Sequence, residues 1–185
     1  MTQPVSELLK NSQNGNFNKL KQLIDEKELD FQGSTLNLAL RNLIHSYKPN
    51  NPNYFKCFKF LMSKNIDLNY KYSKDNNSTI LMKLMKSGEI ELIKEFLKDE
   101  YIHINAENNI FYTEEEEIEY KITQKEILFT QKDSNNNNFF HYLIHTTFNK
   151  IEFINIFRYI YEEYPFPNTK NKKADNKIQQ IFNKL

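Results

Sequence analysis

His141 and His145 stand four residues apart in "FFHYLIH". On a helix that spacing puts two imidazoles on one face, as zinc ligands can be placed. The residues between them lack the glutamate of an H-E-x-x-H arrangement, and no third ligand is evident, so no metal is expected. Cys57 is the single cysteine. A nucleophilic thiol needs exposure, a base and a stabilised thiolate. "NYFKCFKFLM" instead places Cys57 at a helix position expected to face the core. One cysteine also excludes an intrachain disulfide framework and a Cys-rich zinc site. Three glycines leave no room for a phosphate loop, which needs backbone amides packed close to the ligand. Neither a catalytic residue nor a cofactor site is expected.

The charged segments fit binding better than catalysis. Glu114, Glu115, Glu116 and Glu117 form the core of "TEEEEIEY". Calcium loops interleave their ligands with turn-forming glycine, and four adjacent carboxylates do not. The run reads as a solvated loop or as a docking patch for a partner. The tail carries Lys170, Lys172, Lys173, Lys177 and Lys184 against Asp175. It could touch phosphates, but it has no Arg and no aromatic series beyond Phe182, so a solvated end cap is the expectation rather than nucleic-acid binding. The formal net charge of the 185 residues is +1, so no global field steers the chain to polyanions. "NNNN" at residues 135–138 is a low-complexity turn. Asn, Lys and Ile in place of Arg and Ala point to an AT-rich coding sequence. "MTQPVSELLKNSQNG" shows no basic region followed by an apolar stretch, and no apolar run approaches the length of a membrane span. An intracellular, cytoplasmic protein is the expectation.

The elements that must position these residues are helical. Val5, Leu8 and Leu9, then Phe17, Leu20, Leu23 and Ile24, follow helical spacing on either side of Asn14-Gly15. Helices this short are unstable alone and must pack on neighbours. The couplet recurs as "STLNLALRNLIHSY" before "NYFKCFKFLMSKNIDLN", as "STILMKLMKSG" before "EIELIKEFLKDEYIHIN", and as "NNFFHYLIHTTF" before "NKIEFINIFRYIYEEY". Aligned on Gly15, Asn53, Gly88 and Thr147 as first-helix ends, the spacings are 38, 35 and 59 residues. Against a period of about 33, the large excess falls in residues 107–134. Partial alternation there in "IEYKITQKEILFT" suggests a two-stranded ribbon, with Ile118, Tyr120 and Ile122 on one side.

At these residues the chain resembles the ankyrin-repeat family, whose pattern runs roughly T-P-L-H-x-A-A-x-x-G, x-x-x-x-V-x-x-L-L and a closing Asn. "STILMKLMKSGEIELIKEFL" carries Thr79, Leu81 and Gly88 at matching offsets, with Ile93, Phe96 and Leu97 in the second helix and Asn105 closing the unit. Leu84 and Met85 stand where the two alanines belong. "NYFKCFKFLMSKNIDLN" matches a second half ending at Asn69, and "FFHYLI" keeps the family's His at His141. Pro is missing from the turn, with Ile80 and Phe139 in its place. The resemblance implies a single all-α domain: a short ankyrin-type solenoid with units at about 4–33, 34–77, 78–106 and 135–168, a hairpin-like insert at 107–134 and a capping helix at 174–185. It gives His141 a hydrogen-bonding role within its turn.

Such an array implies a non-catalytic scaffold, adaptor or assembly subunit that holds a partner protein on the first helices and outward hairpins. Expected contacts are solvent-facing Tyr70, Tyr72 and Lys74 on one hairpin, Lys83 and Lys86 on one first helix, and Tyr142 and His145 on another, with the Glu114–Glu117 run beside them. The alternative is an enzyme regulator, inhibitor or accessory subunit acting through the acidic insert.

Overall fold

A computed structural model describes residues 3–26, 31, 33–64, 66–98, 101, 130–145, 155, 156, 158 and 159. The fold is all-α. Its named helices are α1 (Gln3–Gln13), α2 (Phe17–Lys21), α3 (Gly33–His45), α4 (Pro52–Met62), α5 (Ile80–Ser87), α6 (Ile90–Phe96) and α7 (Phe139–His145). α2 runs on into a π-helical turn, Gln22–Glu26. Among the described residues there is no strand, and Tyr72 and Ser78 form an isolated β-bridge. No helix among them is long and apolar enough to cross a membrane.

Local chemistry sets the helix ends. The Asn51 side chain accepts from the Asn53 amide at 3.1 Å, and Pro52 occupies the first turn of α4. Proline is pre-set for that position because the amide it lacks would have no helical partner. Asn53, expected to end the preceding helix, therefore lies inside the first turn of α4, and α3 ends at His45. Thr79 Oγ1 accepts from the Met82 amide at 3.4 Å while Met82 Sδ accepts from the Thr79 amide. Asn138 Oδ1 accepts from the His141 amide at 3.3 Å, and His141 Nδ1 accepts from the Asn138 amide at 3.2 Å. These two reciprocal N-terminal caps start α5 and α7 in the same way.

Gly88 ends α5 with φ +75°, its amide donating to Leu84 O at 3.2 Å. Gly15 follows α1 at φ +64°, and a Cβ there would lie 2.6 Å from the Tyr54 ring. Glycine is required at Gly15 twice over, for the left-handed backbone and for the close approach of the ring.

The helices pack in two files. α1 packs on α3, α3 on α5, and α5 on α7; α2 packs on α4, and α4 on α6. Within pairs, α1 meets α2, α3 meets α4, and α5 meets α6. One apolar cluster runs through both files, including Leu8, Leu20, Leu40, Phe58, Leu84, Phe96 and Phe139. In the second file, Cys57, Phe58, Leu61 and Met62 of α4 are buried, and so are Leu92, Ile93, Phe96 and Leu97, each 35 residues on. Removing those side chains from water is the main stabilising term, roughly 1.5–3 kcal/mol for each large aliphatic or aromatic group. Buried polar atoms tie successive helices: Ser12 Oγ donates to Ala39 O, and Tyr54 Oη donates to Gln13 O at 3.2 Å.

The insert at 107–134 falls outside the described residues except for its end, 130–134, and the capping helix at 174–185 lies wholly outside them. The end of the insert and the Asn run that follows form a tight turn. Buried Asp133 accepts from the amides of Asn135 and Asn137, both at 2.8 Å, and from the Tyr142 hydroxyl.

A candidate partner-binding cleft

α3 and α5 lie side by side, and the residues between Tyr72 and Thr79 cross one end of the pair. Tyr72 and Ser78 are bridged there, Ser73–Asp75 forms a 3-10 turn, and Asn76 and Asn77 take left-handed φ values of 56° and 55°. Asparagine tolerates that region better than most residues. The result aims Asp75 back at the two helices. One oxygen, Asp75 Oδ2, accepts from Arg41 Nε of α3 and from Lys83 Nζ of α5, the latter at 2.9 Å. Arg41 also lies over the Tyr72 ring, 6.0 Å from its centroid.

Beside this clamp opens a cleft of about 550 Å³. Arg41 and His45 enter it from α3, Lys83 and Lys86 from α5, and Tyr47 and Glu89 from the loops that follow those helices. Three permanent cations face two carboxylates, so the lining is mildly cationic. Asp75 is held well below the usual carboxylate range, at about 2, because Arg41 and Lys83 hydrogen-bond its ionised form. The Arg41 guanidinium is correspondingly harder to deprotonate. Glu89 is pushed up by burial and by the neighbouring Glu91 charge. A lining of long cations, one imidazole and a tyrosine presents mainly hydrogen-bond donors. Among the described residues, no group of three or more His, Cys, Asp or Glu is placed to hold a metal ion.

The expected contact residues meet different fates. Lys86 is exposed and lines the cleft, and Lys83 lines it half-buried, already paired with Asp75. Lys74 is exposed but does not line it. Tyr72 corrects the expectation of a solvent-facing hairpin residue. It is 3% exposed, and its hydroxyl donates to Asn37 O at 2.8 Å. The reason is the turn itself: with a single bridge instead of a projecting hairpin, the residue before the turn points at α3. Tyr70 is half-buried and meets the Tyr72 ring edge-on at 5.0 Å. Tyr142 is half-buried and donates to Asp133, which together with burial pushes its hydroxyl up to about 12. His145 is the last residue of α7, but its side chain lies outside the described residues. Glu114, Glu115, Glu116 and Glu117 lie outside them too.

Cys57 is fully buried, and desolvation pushes its thiol up to about 12. Reading residue types missed Arg41, Asp75, His45, Tyr47 and Glu89. The available signal was the scarcity of arginine: Arg41 is one of two in the chain. No known protein family, curated protein or solved structure matches this chain.

Proposed function

We propose that the chain is a divergent ankyrin-type helical repeat protein that acts without catalysis, holding a partner protein as a scaffold, adaptor or assembly subunit. The observation that carries this reading is the repeated burial pattern. Four buried apolar positions of α4, Cys57, Phe58, Leu61 and Met62, recur 35 residues later as buried Leu92, Ile93, Phe96 and Leu97, in and at the end of α6, and the two helices pack on one another. Units that share a core in this way cannot fold singly, and what they offer the outside is a long side of exposed helix surface. The paired caps at Thr79 and Asn138, 59 residues apart as Gly88 is from Thr147, support the same register.

On this reading the partner sits on the first-helix file, over the cleft with Lys86, Lys83 and Arg41. The test is purification of the tagged chain from native extract at physiological salt, followed by sizing with light scattering. A complex of fixed stoichiometry is expected, weakened at least about tenfold by Lys86→Glu, since a charge reversed within an interface costs more than a kcal/mol. Consistent recovery of an isolated monomer overturns the proposal.

A further inference from the structure

The opposite, second-helix file carries its own charge pattern. Lys21 of α2, Lys59 of α4 and Lys94 of α6 occupy one register position, separated by 38 and then 35 residues. All three are exposed, and the helices bearing them pack in succession. Packed helix axes lie about 8–10 Å apart, so the three lysine-bearing positions form a ladder at about that spacing, in which Lys59 is paired with Glu95 at 3.8 Å. Beside the ladder, α4 and α6 enclose a trough of about 470 Å³. Its apolar lining is Tyr47, Pro49, Pro52 and Phe55, and Lys56, Lys94 and Lys98 edge it.

The carboxylates in the trough are largely engaged. Glu95 is 5% exposed, bound by Lys98 at 2.8 Å, by Lys59 at 3.8 Å and by the Tyr101 hydroxyl. Glu91 interacts with Tyr47. Lys56 and Lys94 make no ion pair among the described residues. An apolar floor edged by Lys56 and Lys94, neither ion-paired among the described residues, is complementary to a segment that is itself apolar on one side and acidic on the other.

We infer that the α4–α6 trough and its lysine ladder form a second docking surface, for an acidic amphipathic helix of a partner protein. The helix lays its apolar side chains between Pro49, Pro52 and Phe55 and directs its carboxylates to Lys56 and Lys94. Nucleic acid fits less well. The edge is lysine without arginine, the aromatic rings are half-buried rather than presented for stacking, and a phosphate backbone gains nothing from the apolar floor. A bilayer fits less well because the apolar surface is recessed, whereas an interfacial segment projects its apolar face. This surface shares Tyr47 with the cleft between α3 and α5 but is otherwise lined by different residues, and it does not rest on the function proposed for that cleft.

The test uses the full chain and fluorescein-labelled peptides of about 18 residues, five turns of helix. One peptide has Leu at helical spacing among Glu; a second has every Leu replaced by Ser. The expected result is saturable anisotropy with the Leu/Glu peptide only. Its Kd should rise at least about tenfold in the Lys56→Glu/Lys94→Glu variant, and fall back towards the original value when the peptide's Glu residues become Lys. Both substitutions are at exposed positions, and an unchanged circular dichroism spectrum verifies the fold. Lys86→Glu, on the other file, should leave binding unchanged. Equal binding of the Ser-substituted peptide overturns the inference, because it signals bare charge attraction. So does an unchanged Kd in the double variant, or displacement of the peptide by a single-stranded oligonucleotide or by phosphatidylserine vesicles.

Discussion

Neutralising Asp75 tests the clamp between α3 and α5 directly. Asp75→Asn keeps the side-chain size and removes the charge that Arg41 Nε and Lys83 Nζ share. The carboxyl lies at about 2 instead of 3.8. A shift of that size corresponds to at most about 2.5 kcal/mol at roughly 1.36 kcal/mol per pKa unit. The three side chains are 21%, 24% and 34% exposed, so solvent screening reduces this. About 1–1.5 kcal/mol remains as a working figure. The sign follows from the depressed folded value. The stabilisation is complete above the unfolded pKa near 4 and disappears as pH falls through about 2.

Urea unfolding followed by circular dichroism at neutral pH, at pH 4 and near pH 2 measures it. The variant should unfold earlier by about 1–1.5 kcal/mol at neutral pH, and the two curves should converge near pH 2. A loss below about 0.3 kcal/mol at neutral pH, or an equal loss at pH 2, refutes the reasoning. The first result makes the clamp energetically idle, and the second makes the effect one of shape instead of charge.

Three further outcomes follow from buried contacts. Tyr72→Phe removes the donor to Asn37 O and should cost about 1–2 kcal/mol in urea unfolding, whereas a solvent-facing tyrosine would cost nothing measurable. Gly15→Ala forces a left-handed alanine whose Cβ meets the Tyr54 ring at 2.6 Å; a destabilisation of about 1–3 kcal/mol is expected, and a neutral result would mean that α1 and α4 are not so closely apposed. Cys57, with its thiol pushed up to about 12, should resist Ellman's reagent at pH 8 until urea unfolds the chain, and rapid labelling of the folded protein would contradict its burial.

Much of the helical framework was readable from residue spacing. Leu8, Leu20, Leu61, Leu84 and Phe96 recur at helical intervals and are all buried. Gly15 and Gly88, placed at equivalent helix ends, both have positive φ. These features are local, set by a few consecutive residues and one apolar stripe. Asn53, the register position expected to end a first helix, instead falls in the first turn of α4, because α3 stops at His45 and Asn51 and Pro52 start the next helix. The site was much less legible. Arg41 and Asp75 are 34 residues apart in the chain, and no local pattern marks them as a pair. Lys56, Lys94 and Lys98 read singly as ordinary solvated lysines. They edge one trough because α4 lies against α6.

Taken alone, the amino-acid sequence determined that this protein is helical, that Cys57 belongs to the core, and where the glycine-ended turns fall. Periodicity and backbone sterics act within a few residues, and a sequence records them directly. Only the tertiary structure decided that Tyr72 turns inward, that Asp75 bridges two helices, and that the lysines of the second helices stand in a row. Those outcomes depend on which helix faces become neighbours, and that is settled by packing across the whole core.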